Sequence, residues 1–460
     1  MSKYSTPFRL TFFLCLLGLA CFPTIRTIFA QTGTGTFGTI LGVVTDETGA
    51  VVPRATASVT NEKTGIERTA ETNEQGVYRV LALLPGIYTV QVDANGFKRG
   101  QQKGVELRVN ESLRADVTLQ VGDLSQTVEV EAETPLLQTE NATVGHVVNN
   151  REAIELPLNG RDFTQLTLLI PGASPGFQGG SGLVIGGNNV AVSGNRSDSN
   201  NYTLDGVDNN ENFFKFHGMK PSIDAIEEFK IQTNITSAQF GNAAGANINV
   251  ATKSGTNELH GTLFEFFRND VLDSRDYFND RRPSFRFNNF GGTVGGPFTI
   301  PRVYNGKGKT FWFFDYEGLR RSLGSTILDI VPTPEMLAGD LSRDLLGNPA
   351  PPIFDPATGR VVDGVIVRDP FPGNIIPPSR LDPVATEYAR HQYPAPNRPG
   401  QIFNFVNSLP ERMTTDQFTI RLDHKFSNNT NLFGRFSLSD LRVQYPGFLP
   451  TFTPSIECIS

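Results

Sequence analysis

The longest alternation of apolar and polar positions lies near the end of the chain. Phe418, Ile420, Leu422, His424 and Phe426 alternate with Gln417, Thr419, Arg421, Asp423 and Lys425, so one face of an extended segment is nearly all apolar and the other is polar throughout. A turn at Ser427-Asn428-Asn429-Thr430 leads back into Leu432, Gly434, Phe436 and Leu438. Residues 309–318 place Trp312, Phe314 and Tyr316 on one face and Phe313, Asp315 and Glu317 on the other. About five such strands are expected after Gly261, interrupted by a Pro-rich, irregular stretch at 332–410. Earlier, residues 38–121 read as shorter strands at 39–45, 55–61, 67–72, 77–82, 87–92 and 112–119, with turns every 8–12 residues. That spacing predicts a small antiparallel β-sandwich.

The first 30 residues carry Lys3 and Arg9 ahead of a 13-residue apolar run at 10–22, the size of a signal-peptide core and too short to span a bilayer. Cleavage is expected between Ala30 and Gln31. Only Cys458 of the three cysteines lies beyond this leader, so no intrachain disulfide is expected in the exported chain. No later window approaches 18 uninterrupted apolar residues, which excludes a helical membrane protein and leaves a β-barrel open. Composition supports strands and long loops: 460 residues hold 45 Gly, 30 Pro and 35 Phe but one Trp. With 40 basic against 47 acidic side chains the formal charge is −7, which argues against a nucleic-acid binder.

Two stretches carry specific resemblances. "GVVTDETGAVVPRATASVTNEKTG…TAETNEQGVYRVLALLPGIYTVQVDANGF", within 36–121, resembles the carboxypeptidase regulatory-like domain, an immunoglobulin-like sandwich also described as a carbohydrate-binding-like fold. Then "ELPLNGRDFTQLTLLIPG", "GNRSDSNNYTLDGVDNN" and "PSIDAIEEFKIQTNITSAQFGNAAGANINVATKSGTNELHG" follow in the order found in the plug of TonB-dependent outer-membrane transporters of the Oar-like type. The resemblance implies a mostly β chain: signal peptide 1–30, sandwich 36–121, linker 122–135, α+β plug 136–258 and a partial transmembrane barrel 259–460 with its long loop at 332–410. It marks Asn159, Gly160, Arg161, Asp205, Gly206 and Asp208 as plug-motif residues. It also places the TonB box, the segment that pairs with a strand of a periplasmic TonB-type energising protein, at Thr127, Val128, Glu129, Val130, Glu131 and Ala132. An ordinary linker strand is the other reading of those six residues.

On this reading Phe418, Ile420, Leu422 and Phe426 face outer-membrane lipid, and the long loop is external. The function implied is uptake of a bulky solute with the plug gating the lumen; siderophore, oligosaccharide and peptide all stay open as cargo. The alternative is a secreted or surface-attached module using the sandwich for glycan or protein contacts. Five strands fall far short of the 22 that close a plugged transporter, so the sequence reads as the N-terminal portion of such a protein.

Other motifs carry no chemistry. Gly33, Gly35 and Gly38 have dinucleotide-loop spacing with no strand before or helix after them. The five histidines are scattered, without metal-ligand spacing. Asp205-Gly206-Val207-Asp208 lacks the order of a calcium loop. Glu227-Glu228 beside Lys230 is expected to be a solvated turn. No cofactor, metal, nucleic acid or enzymatic activity is expected.

Overall fold

The computed structural model describes residues 36–123, 127–131, 144–176, 190–211, 217–233, 241, 244–275, 282, 284–324, 327–344, 346–399, 402–407, 410–428, 430–444 and 455–459. The expected cleavage site at Ala30 and Gln31, and Ala132, lie outside the described residues. The chain is mostly β, in three successive units.

The first unit is a sandwich. It contains β1 (Gly38–Asp46), β2 (Thr56–Asn61), β3 (Glu67–Glu71), β4 (Val77–Leu83), β5 (Gly86–Asp93), β6 (Arg99–Leu107), β7 (Ser112–Arg114), β8 (Val117–Leu119) and β9 (Thr127–Glu131). One sheet runs β4-β1-β7 with β8 also beside β1, and the other runs β3-β2-β5-β6-β9. Ile40, Val44, Val59, Tyr78, Val90 and Leu119 are all at least 96% buried between the sheets, the outcome expected of period-2 strands with one wet face.

The sandwich differs from the expected antiparallel one. β7 and β8 pair with β1 in parallel, and β9 pairs with β6 in parallel. The stretch read as one strand at 112–119 is split at Ala115-Asp116. There the Tyr78 hydroxyl donates to the Ala115 carbonyl at 2.6 Å, and the Val43 amide donates to Asp116 Oδ1 at 2.8 Å. Gly42 is required at this crossing, because a Cβ on it would lie 1.9 Å from the Ala115 oxygen. Strand β6 has only a weak apolar alternation and was not anticipated.

The second unit is built on β10 (Val144–Asn149), α1 (Asn150–Glu155), a hairpin of β11 (Ala173–Pro175) and β12 (Val190–Val192), then β13 (Asn201–Leu204), β14 (Val207–Asp208), β15 (Ile226–Thr233) and β16 (Asn247–Thr252). Asn149 caps α1 in a reciprocal capping box with Glu152. The sheet order is β10-β15-β16-β13-β14. Phe163, Leu166, Phe229, Ile231, Ile248 and Val250 form its core.

The third unit is a six-stranded antiparallel sheet, here called the wall. Its strands are β17 (His260–Asn269), β18 (Phe285–Pro297), β21 (Thr310–Gly324), β26 (Pro410–Lys425), β27 (Asn431–Gln444) and β28 (Ser455–Ile459), hydrogen-bonded in that order. A hairpin of β19 (Thr299–Ile300) and β20 (Tyr304–Asn305) lies between β18 and β21. Between β21 and β26 the long connection carries β22 (Ile327–Asp329) paired with β25 (Phe405–Asn407), a hairpin of β23 (Arg360–Val362) and β24 (Val365–Val367), and a helix at Pro383–Gln392. The sheet is open and does not close into a barrel.

Directly opposed residues share a face, so the register of β18, β21, β26 and β27 fixes what points each way. Trp312, Phe418, Ile420, Leu422 and Phe436 point outward, and Ile420 and Leu422 are about half exposed. Phe311, Phe313, Asp315, Thr419 and Arg421 point inward, to the side of the second or inner unit, and are buried. The sandwich sits at the end of the wall with the short turns. Asn257 Nδ2 donates to the Thr64 carbonyl at 2.6 Å, Lys425 Nζ donates to the Glu67 carbonyl at 3.1 Å, and the Phe37 and Phe433 rings meet edge-on at 6.1 Å.

Candidate functional site

The inner unit is keyed into the wall by two charged side chains that belong to its sequence motifs. The first is Asp205, in the turn between β13 and β14, where Asp205 (φ 51°) and Gly206 (φ 81°) both take left-handed backbone. Its carboxylate accepts the Thr252 amide and the Thr252 hydroxyl, both at 2.8 Å. Two guanidiniums of the wall then reach it. Arg421 Nη1 on β26 lies 3.2 Å away and Arg435 Nε on β27 lies 3.4 Å away. Arg421 is fully buried and also donates to the Thr252 carbonyl at 2.9 Å. Its other nitrogens bind Asp423 at 3.0 Å, and it lies 4.9 Å from the centre of the Phe433 ring. A buried guanidinium is tolerated only where its donors are satisfied and its charge is paired, and here the carboxylates come from both units.

The second key is Arg161, in the short 3-10 turn Asn159–Arg161 that Gly160 makes possible at φ 67°. Its guanidinium pairs with Asp224 of the inner unit and donates to Asn289 Oδ1 of β18 at 3.2 Å. It lies 4.3 and 4.2 Å from the ring centres of Phe264 and Phe266 on β17, so two wall aromatics bracket it. Asn289 in turn donates to Glu317 Oε1 on β21 at 2.9 Å. Asp208 stays at the surface, accepting from the Asn210 amide at 2.8 Å. Arg161 and Asp205 therefore both face the wall, whereas Asp208 does not.

A third contact joins the inner unit to the sandwich and corrects the expected solvated turn at Glu227-Glu228. These residues lie in β15, a buried strand paired on both sides. Glu228 and Lys230 are over 90% buried. The Val109 amide donates to the Glu228 carboxyl, and Lys230 Nζ donates to the Asn110 carbonyl at 3.0 Å. Glu227, the partly exposed member, pairs with Lys63 at 3.5 Å. Burial pushes the Glu228 carboxyl up to about 8 despite the Val109 amide, with Glu227 adding to the rise. Arg421, Arg435 and Asp224 were not singled out from sequence as site residues. The available signal was a charge inside an otherwise strand-like, apolar run.

Thr127–Glu131 forms β9, the outermost strand of the five-stranded sandwich sheet, with Gly100 opposite Val128 and Gln102 opposite Val130. Phe418, Ile420, Leu422 and Phe426 share the outer face of the wall.

Comparison with known proteins agrees with this architecture. Residues 251–456 match the family described as outer membrane beta barrel domain, and residues 39–120 match the carboxypeptidase regulatory-like domain. The TonB-dependent transporter Oar of Myxococcus xanthus is 29% identical over 304 residues, covering 62% of this chain. The chain resembles the TonB-dependent transporters of the Oar type. It spans 26% of the length of that relative. Among solved structures, the outer membrane transporter YddB from Escherichia coli is 10% identical, with a TM-score of 0.39 and coverage of 65% of this chain and 33% of its own. The siderophore receptor PirA from Acinetobacter baumannii is 14% identical, with a TM-score of 0.35 and coverage of 65% and 32%. The barrel domain and the relationship to Oar indicate the outer membrane as the location of this protein.

Proposed function

We propose that this chain forms the plug and the first wall strands of a TonB-dependent outer-membrane transporter, in which the plug gates the lumen for a bulky solute, with carbohydrate among the candidate cargoes. The observation that carries the proposal is the double keying of the inner unit to the wall through Asp205 with Arg421 and Arg435, and through Arg161 with Phe264, Phe266 and Asn289. An element held by a few buried ionic contacts is seated firmly at rest yet is released once those contacts are replaced, as a gate requires. No part of the arrangement is read as an enzyme site.

Thr127–Ala132 is the proposed TonB box, and its first five residues form β9. One edge of that strand is occupied by β6, so a strand of the energising protein would add to its other edge and extend the sandwich sheet. Phe418, Ile420, Leu422 and Phe426 are the proposed lipid contacts. From Phe426 to Phe418 the outward apolar stripe covers about 26 Å along the strand, or about 20 Å of height at a tilt of ~40°, close to the band such barrels present to hydrocarbon.

The test is made in cells producing the protein in its outer membrane. Asp205→Ala combined with Arg161→Ala should raise sensitivity to a bulky antibiotic that the intact outer membrane excludes, at an unchanged protein level. Deleting residues 127–131 should abolish capture by the C-terminal domain of a TonB-type protein without affecting the permeability barrier. A membrane that stays tight in the double variant rules out gating through these contacts.

A further inference from the structure

The sandwich is fastened to the rest of the chain at two places, and the two belong to different units. At the wall, the turn between β2 and β3 is held by Asn257. The Asn257 amide donates to the Lys63 carbonyl at 3.3 Å, and its Nδ2 donates to the Thr64 carbonyl at 2.6 Å. Asn257 is itself fixed by the Gly308 amide, which donates to its Oδ1 at 2.7 Å from the short turn before β21. Lys425, at the end of β26, adds the bond from Nζ to the Glu67 carbonyl at 3.1 Å. All three acceptors on the sandwich are backbone carbonyls, so this fastening follows the path of the main chain.

The second fastening is the turn 108–111 that follows β6. The sandwich holds this turn in shape by itself. Asn110 takes left-handed backbone at φ 49°, the Arg108 amide donates to Glu111 Oε2 at 2.8 Å, and the Thr39 amide of β1 donates to the Glu111 carbonyl at 2.8 Å. The turn meets one face of β15. Phe229 and Ile231 of that strand enter the apolar core of the inner unit, so alternation turns Glu228, Lys230 and Gln232 to the other face. These three polar side chains are 7, 4 and 2% exposed, and each has a partner on the turn. The Val109 amide donates to Glu228, Lys230 Nζ donates to the Asn110 carbonyl at 3.0 Å, and Asn110 Nδ2 donates to Gln232 Oε1 at 3.3 Å. Gln232 also accepts from Asn249 Nδ2 on β16 at 3.3 Å, which carries the contact one strand deeper. The Lys63–Glu227 pair beside it is partly exposed and adds little.

A unit that is rigid through its own core and fastened to two others resists their separation. We propose that the sandwich is a latch: it holds the inner unit to the wall from the side of the short turns, and the inner unit leaves its seat only after the turn 108–111 lifts off β15. The chemistry of the contact suits opening, because Glu228, Lys230, Gln232 and the turn's polar groups all regain water on parting. Strand β6 runs into the turn at one end and pairs with β9 along its other half, so the latch and the segment proposed to meet the energising protein share one strand. The inference goes beyond the two keys, since it acts through a third unit. It rests on the outer-membrane reading only for the side of the membrane on which the latch lies.

The experiment cuts the latch at either end and reads the inner unit by hydrogen exchange of the peptide 201–208, which neither cut touches, with the full chain in detergent. N110G/K230M cuts the inner end, glycine keeping the left-handed turn. N257A/K425M cuts the wall end. The inner-end variant should exchange about tenfold faster than wild type, the loss expected for hydrogen bonds that include one from a charged group. The wall-end variant should exchange several-fold faster although it alters nothing in β13–β16, and the two cuts combined should stay near tenfold instead of reaching their product, because they interrupt one connection. If N257A/K425M does not assemble, K425M alone should show the same direction at about threefold. Unchanged exchange in the wall-end variants overturns the proposal and leaves 108–111 a local contact. Fully multiplicative effects also overturn it, since the two fastenings would then act separately. This readout does not require gating: a membrane that stays tight in Asp205→Ala with Arg161→Ala, beside the expected exchange pattern, would remove the gating reading and keep the latch.

Discussion

Replacing Asp205 with alanine tests the central contact most directly. The carboxylate accepts four hydrogen bonds or ion pairs, two from Thr252 and one each from Arg421 and Arg435. Both Asp205 and Arg421 have side chains at most 3% exposed, so water cannot replace the lost partner. Removing one member of a buried pair costs about 3–5 kcal/mol, chiefly through the charge left behind. Asp423 still neutralises Arg421 at 3.0 Å, which puts the expected cost at the low end, about 3 kcal/mol. If that energy holds β13 and β16 against the wall, local opening becomes easier by the same amount, and amide exchange accelerates by roughly 150-fold.

The assay is hydrogen exchange with mass spectrometry on peptides covering 201–208 and 247–253, with the protein in detergent. The Thr252 amide is the sensitive reporter because it donates directly to Asp205. Asp205→Asn, which keeps an acceptor for that amide but no charge, should fall between wild type and alanine. Combining Asp205→Ala with Arg421→Met should cost less than the sum of the two single changes, because the stranded charge has been removed with its partner. Acceleration of less than about threefold in Asp205→Ala, or strict additivity in the double variant, would refute the argument that this pair seats the inner unit.

Three further outcomes follow from the same geometry. Gly42→Ala forces a Cβ into the Ala115 carbonyl and the Tyr78 ring, so the sandwich should lose about 3 kcal/mol; limited proteolysis within 38–119 that matches wild type would contradict this. Glu228 has its pKa raised above the unfolded value, so the native state binds the extra proton: its stability is full below about pH 4.5, falls as pH rises toward about 8 and is level beyond, by a few kcal/mol in all. Thermal melts of the wild type and Glu228→Gln from pH 5 to 9 check this, since the glutamine variant should lose that slope. Arg161→Lys keeps the charge but cannot fill the slot between Phe264 and Phe266 as a planar guanidinium does; it should expose residues 157–170 to protease nearly as much as Arg161→Ala, and rescue by lysine would mean that charge alone is used there.

The strands of the wall were legible because their alternation is long. Residues 417–426 predicted β26 with the correct faces, and 432–439 predicted β27. The sandwich was legible through its turns, but its parallel edges were not, since direction is decided by where a strand finds a free edge and leaves no mark in a three-residue segment such as Val117–Leu119. Arg161 and Asp205 were found through motif resemblance, whereas the one local mark of Arg421 and Arg435 was a charge within an alternating strand. Arg421 and Lys425 lie on the same polar face of the strand, yet only Arg421 is fully buried.

The same point explains the misreading of Glu228 and Lys230. The charges at Glu227-Glu228 beside Lys230 point by sequence to a solvated turn, and the polar positions of 417–425 carry no sign of a protein partner. In the folded chain neither surface is open to solvent. Thr419, Arg421, Asn249, Glu228 and Lys230 are all buried, and their polar groups are satisfied by residues far away in sequence, Asp205 for Arg421 and the Val109–Asn110 turn for Glu228 and Lys230. Period-2 alternation reports that the two faces of a strand differ in chemistry. It does not report whether the polar face meets water or a second polar protein surface, and here the second case applies because the inner unit fills the space that the wall would otherwise leave wet. In the proposed gate, buried charge shared between units would make the contact reversible, since each exposed half would regain hydration on parting where an apolar seam would not.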